Sequence, residues 1–200
     1  VTAHLLILAS ASKSRAAVLA AAGVAFSQIP ADVDEASVKT EMQARGQTAA
    51  ACAAKLAEMK ALAVSARHPS AYVIGCDQML GCDGRWFDKP ADMSAAREQL
   101  RALRGRTHML FNGMVVTRAD KTVWRTADQA ELTMRDFSDD FLDAYLAQVG
   151  GQVLWSVGGY QLEGPGAQLF SAVRGDFFSI LGLPLLPLLA FLRDHGLIKT

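Results

Sequence analysis

The stretch LILASASKSR (Leu6–Arg15) decides how this chain is read. Apolar residues of strand length run straight into three hydroxyls, a lysine and an arginine, and helical composition follows at once. The apolar run predicts a strand over His4–Ala9. Ser14 to Ala22 reads as a helix that stops at Gly23, a residue suited to the position just past a helix end. A strand feeding a helix through a Ser-rich loop leaves the first helical N–H groups unpaired, and the positive end of the helix dipole adds to them. With the Ser10 and Ser12 hydroxyls and the planar Arg15 fork, this corner suits phosphate oxygens. It equally suits a plain helix cap at Ser12 with solvated cations. No GxxxxGK[ST] loop and no GxGxxG fingerprint occurs anywhere in the chain.

Outward from this corner, strands and helices alternate. Phe26–Ala31 reads as a strand ended by the acidic ADVDE (Ala31–Glu35). Thr48 caps a long Ala-rich helix to Arg67, and Tyr72–Cys76 is the next strand. Asp83-Gly84 marks a hairpin turn. Ser94–Arg104 is helical, with Ala96, Leu100 and Leu103 on one face and Gly105 at its end. His108–Ala119 and Val123–Met134 pair around Asp120-Lys121. Ser138 caps a helix to Val149, Gly150–Gly166 is glycine-rich, Gln168–Val173 is a strand, and Leu185–His195 is a closing helix with Leu185, Leu188, Leu189 and Leu192 turned to the core. The alternation predicts an α/β fold with a mixed, twisted sheet flanked by helices. A small strand-rich lobe is expected near 105–135, within one domain spanning 1–200.

Composition narrows the function. The 200 residues are 51% hydrophobic and 20% charged with zero formal net charge. That argues against a protein held by the nucleic-acid backbone. No apolar stretch is long enough to cross a membrane, and no secretory signal is recognisable. Cys52, Cys76 and Cys82 have no disulfide-framework spacing, which suits a reducing cytoplasm. His4, His68, His108 and His195 are scattered, so carboxylates are the expected ligands of any metal, pointing to magnesium or manganese.

Asp77 follows the apolar YVIGC and is expected at a strand's carboxyl end, where open α/β sheets bind ligands. It could hold a divalent cation, act as a base toward water, or simply cap loop backbone. Glu35 closes a group with Asp32 and Asp34 that is either an oxygen-rich site or a solvated acidic turn. Lys60 in the long helix and Lys89 in DKP read alone as surface charges. Trp86, Trp124 and Trp155, like Cys76 and Cys82, are expected to pack rather than react. Glu163, in GGYQLEGPG, could accept paired N–H bonds from a base edge.

Taken in order, LILASASKSRAAVLAAAGVAF, ADVDE, KALA, VIGCDQ, DKPAD, LRGRTH, GGYQLEG and GDFFSILGLPL make the chain resemble the Maf family of nucleotide pyrophosphatases from about Leu5 to His195. The resemblance implies a cytoplasmic enzyme that cleaves a nucleoside triphosphate between its α and β phosphates. It also implies a fold related to inosine triphosphate pyrophosphatases, a divalent cation (Mg2+, Mn2+ or Co2+), and often a homodimer. It carries substrate contacts onto Ser10, Ser12, Arg15, Lys60 and Lys89, the catalytic acid onto Asp77, and a shared metal onto Glu35 and Asp77. Specificity falls on Ser14, Gln78 and Glu163. Many members have Pro-Arg or Pro-Trp where this chain has Lys13-Ser14. The CDQ turn, Ser156 and Glu163 are similar to the branch acting on 7-methyl-GTP rather than the branch acting on dTTP and UTP. A nucleotide-sensing regulator of septum formation is the reading from another class.

Overall fold

The polar corner after Ala9 exists because β1 is short. In the computed structural model, which describes residues 6–199, β1 covers only Leu6–Leu8, while its neighbour β3 runs Tyr72–Cys82. The expected His4 and Leu5 lie outside the described residues. β1 pairs in parallel with β2 (Ser27–Gln28) and with Tyr72–Ile74 of β3. β3 then turns at Asp83-Gly84 and pairs antiparallel with β4 (Arg85–Phe87) through Leu80–Cys82. Both turn residues have positive φ, 48° and 78°, as a two-residue hairpin needs. Between these partners, Gly75 to Met79 have no strand on that edge among the described residues. The open edge is the mouth of the site.

On its other edge β3 pairs antiparallel with β5 (Thr107–Arg118), β5 with β6 (Lys121–Met134), and β6 with β7 (Phe170–Arg174). The sheet order is β2-β1-β3-β5-β6-β7, with β4 on β3, so the sheet is mixed. The expected strand-rich segment is the β5–β6 hairpin, which continues this sheet. Its turn is centred on Ala119-Asp120, one residue earlier than expected, and Ser65 Oγ accepts from the Asp120 amide.

The helices are α1 (Lys13–Ala21), α2 (Glu35–Ala44), α3 (Ala49–Ser65), α4 (Met93–Leu103), α5 (Asp139–Val149), α6 (Phe177–Ile180) and α7 (Leu185–Asp194). Ser12, Asp34, Thr48, Asp92 and Ser138 each accept an N–H in the first turn of the helix they precede. α2 was not expected. Its residues include no buried side chain, so no apolar stripe announces it. The acidic ADVDE is therefore a helix start, with Asp34 as cap and Glu35 in the first turn. The four-residue α6 was also unforeseen.

Alternation along β3 assigns its two faces. Val73, Gly75, Asp77 and Met79 face α3; Ile74, Cys76, Gln78 and Leu80 face the other way. The α3 contact is unusually close. A Cβ on Gly75 would lie 2.1 Å from the Ala57 carbonyl oxygen, and one on Gly113 would lie 2.6 Å from Ala53 backbone. The Ala-rich composition of α3 and these two glycines thus serve one purpose: the helix lies directly on the sheet, carrying Lys60 over Asp77. The opposite face bears two cores. Ile74, Cys76, Met114 and Val116 pack with α1 and α7; Leu80, Leu110 and Leu132 pack with α4 and α5. Between them sits the polar pair Gln78 and Asn112, in register across β3 and β5.

Candidate active site

A cleft of about 280 Å³ opens at this divide. Every residue expected at the site lines it: Ser10, Ser12, Ser14, Arg15, Glu35, Lys60, Asp77, Gln78, Lys89 and Glu163. Asp32 and Asp34 do not line it.

Asp77 lies in the middle of an eleven-residue strand, not at the end of a five-residue one. A strand tolerates two polar residues here because each finds partners on its own face. Asp77 is 5% exposed and its Oδ1 accepts from Lys60 Nζ at 2.6 Å. Oδ2 is buried and has no hydrogen-bond partner among the described residues. The Lys60 ammonium also meets Glu35 Oε1 at 2.7 Å, so it bridges the two carboxylates. Lys39, one helical turn along α2, lies 3.9 Å from Glu35 Oε2 and pairs with Asp88. Desolvation would raise the Glu35 pKa. The hydrogen bond and charge of Lys60, with Lys39 and Lys89 beyond, outweigh it and hold the carboxyl below its ordinary value. Desolvation would likewise lower Lys39, but Asp88, with Asp77 and Glu35, holds it above. Lys89 goes the other way. It stays open to solvent, yet the enclosing cleft wall and the Arg15 charge, with Lys60 behind, push its ammonium down.

Arg15 is more committed than a free phosphate fork. Its Nε donates to Gly182 O at 2.8 Å, and Nη1 donates to Ser10 Oγ at 3.1 Å and Cys76 O at 3.0 Å. The last bond satisfies a carbonyl on the open edge of β3. Arg15 thus ties the loop after β1, β3 and the α6–α7 turn together, leaving Nη2 for a ligand. Ser10 Oγ accepts from the Ser12 amide and Ser12 Oγ from the Arg15 amide, so both hydroxyl protons stay available. The cap and the cradle are one arrangement.

On the other face Gln78 Nε2 donates to Asn112 Oδ1 at 3.2 Å and to the Ser179 and Ile180 carbonyls, both at 3.1 Å. Three acceptors around the nitrogen fix the amide, leaving Oε1 as the atom Gln78 can offer to the cleft. Glu163 stands on a loop anchored by Tyr160, whose buried hydroxyl meets His108 Nε2 at 2.7 Å. Burial pushes His108 down to about 4.

Lys39 and Asp88 were missed; the Glu-x-x-x-Lys spacing would have found Lys39 had α2 been expected. Trp155 overturns an expectation. Trp86 and Trp124 pack against core clusters, but Trp155 is 51% exposed and lines the cleft. All three cysteines are buried and free, and burial pushes Cys76 up to about 12. Among the described residues no helix is long and apolar enough to cross a membrane, and no group of three or more His, Cys, Asp or Glu side chains could hold a metal.

Fold and cleft define a mixed α/β protein with an ion-paired crevice at an open strand edge. The family described as Maf-like protein matches residues 5–195, and the chain belongs to it. It is 56% identical over 190 residues to a nucleoside triphosphate pyrophosphatase of Paramagnetospirillum magneticum, covering 95% of this chain and 98% of that one. It is 50% identical over 188 residues to a 7-methyl-GTP pyrophosphatase of Brucella abortus, covering 94% of each. A solved nucleoside-triphosphatase / dITP/XTP pyrophosphatase from Mycobacterium abscessus matches 96% of this chain and 95% of its own at 14% identity and a TM-score of 0.41, too loose a likeness to bear on the site.

Proposed function

We propose that this protein hydrolyses a nucleoside triphosphate to the monophosphate and pyrophosphate, with 7-methyl-GTP or a similar guanine nucleotide as preferred substrate. Relatives at about half identity over nearly the whole chain carry the first of these names, and others at similar identity carry the second. The observation that carries the chemistry is the buried Asp77 beside Lys60, with its free Oδ2 in a cleft also lined by Lys89 and Arg15.

The site's charges set the mechanism. Arg15, Lys39, Lys60 and Lys89 are balanced by Glu35, Asp77, Asp88 and Glu163, so four cations face four carboxylates and the walls carry no net charge. A polyphosphate tail needs more positive charge than that balance leaves. A divalent cation fits the donor set: magnesium takes one or two carboxylates and completes its shell with water and substrate phosphates. Glu35 and the unpartnered Oδ2 of Asp77 would hold it, and it would draw charge off the phosphates. Lys60 and Lys89 bind the tail and stabilise the charge that shifts to the leaving pyrophosphate. Arg15 adds its charge and Nη2. Ser10 and Ser12 donate hydroxyl protons to phosphate oxygens. Asp77 orients the attacking water and accepts its proton.

The base preference is supported by the acceptors on offer. Gln78 Oε1 and the Glu163 carboxylate suit guanine, which presents N1–H and N2–H donors, and a positive charge on a 7-methylated ring favours the carboxylate further. Uracil and thymine offer a single N3–H donor flanked by two carbonyls, so they cannot supply the paired donors those oxygens accept. The test is pyrophosphate release from 7-methyl-GTP, GTP, UTP and dTTP with magnesium, manganese or cobalt, with Asp77→Asn as control. A preference for 7-methyl-GTP that is lost with Asp77→Asn is expected. Equal rates for 7-methyl-GTP and UTP would refute the preference. A regulator that only senses nucleotide would bind without turnover.

A further inference from the structure

Trp155 ends a 3-10 turn (Gly150–Trp155) and leaves half its surface open on the cleft wall. An indole left exposed beside a cleft forgoes a large apolar burial that Trp86 and Trp124 achieve. Its ring is not bare, because Lys13 Nζ lies 4.4 Å from the ring centroid. Lys13 is the first residue of α1, one position past the Ser12 cap, and unlike Trp155 it is not among the residues that line the cleft. The nearby acceptors are Glu163 and the fixed Gln78 Oε1. The cleft thus offers an exposed indole and oxygens suited to a donor edge.

Resting on the reading of this cleft as a nucleotide site, we infer that Trp155 is the platform on which the base stacks, and that its indole favours a positively charged purine ring over a neutral one. A cationic base gains cation–π attraction to the indole face; a neutral base gains stacking alone. Cation–π attraction at such a site corresponds to a preference of about 3- to 30-fold for the charged ring.

Binding of 7-methyl-GMP, GMP and UMP without metal, read by calorimetry and tryptophan fluorescence, tests this apart from turnover. In the parent, 7-methyl-GMP quenches fluorescence and binds about 3- to 30-fold tighter than GMP. Trp155→Ala narrows that ratio to the part that the Glu163 carboxylate supplies, and Trp155→Phe keeps most of it. An unchanged ratio in Trp155→Ala overturns the inference, as does the absence of quenching by all three nucleotides. Pyrophosphate release with a ratio indifferent to Trp155 would sink this inference alone. Quenching that depends on Trp155, without turnover of any triphosphate, would support the platform and sink the hydrolase.

Discussion

Replacing Lys60 by Met removes the one ammonium that bridges Glu35 and Asp77 while keeping the length of the side chain. Asp77 then loses its 2.6 Å partner at Oδ1, with Oδ2 already unpaired, at a position only 5% exposed. Stranding one member of a buried pair costs ~3–5 kcal/mol. The Glu35 contact adds little, because its side chain is 42% exposed and water replaces most of the interaction. We take about 3 kcal/mol, which for a chain of this size lowers Tm by roughly 6–12 °C at neutral pH without metal. The pH dependence follows from Glu35. Its folded pKa lies below its reference value of 4.5, so its contribution to stability is present above that pH and is lost as pH falls through the folded value. The variant loses the Lys60 part of this contribution, the largest of those that lower the Glu35 pKa, so the gap between parent and variant narrows below about pH 4.5. Millimolar magnesium should recover more Tm for the variant than for the parent, since two carboxylates with no ammonium between them suit a hard cation. Thermal melts from pH 3 to 8, with and without magnesium, measure all three effects. A variant as stable as the parent at pH 7 without metal, or a gap that widens on acidification, would refute the reasoning.

Asp77→Asn should lower kcat by about 10³-fold or more while leaving nucleotide affinity within about tenfold, because it keeps the shape and removes the base; steady-state kinetics with equilibrium binding separates the two. Lys89 loses its proton below the usual lysine range, so kcat/KM should fall on the alkaline side as pH passes its depressed pKa. Lys89→Arg, which stays charged, should move that limb to higher pH in a pH–rate profile. Gly75→Val should unfold the protein or displace α3, since even a Cβ meets the Ala57 carbonyl at 2.1 Å; circular dichroism and loss of turnover would show it. His108 is held neutral to about pH 4 by burial, against an ordinary value of 6.5, so the parent should lose stability as pH falls from 6.5 toward 4. Because an unprotonatable side chain removes this effect, His108→Gln should flatten that loss in melts across the interval.

Much of the site was legible because its residues sit where local rules meet. The sequence marks Ser12 both as a cap and as part of a cradle, and it is a cap within the cleft wall. Thr48, Ser138 and the Asp83-Gly84 turn follow from side-chain chemistry alone. What escaped depends on packing across the sheet. Asp77 looked like the end of a strand because its charge breaks an apolar run; only the close α3 approach, set by Gly75 and Gly113, shows why an acid is stable in mid-strand. α2 carries no buried residue, so periodicity could not reveal it, and Lys39 was lost with it. Trp155 looked like core because tryptophans usually are, and nothing in its neighbours marks it as the one left outside.

The account stands on one chemical event in the cleft around Asp77. Phosphorus NMR of the products formed from 7-methyl-GTP and magnesium observes that event directly. Pyrophosphate and nucleoside monophosphate rising together in equal amounts, and absent with Asp77→Asn, is the expected result. Orthophosphate appearing with nucleoside diphosphate, or product formation indifferent to Asp77, would contradict it.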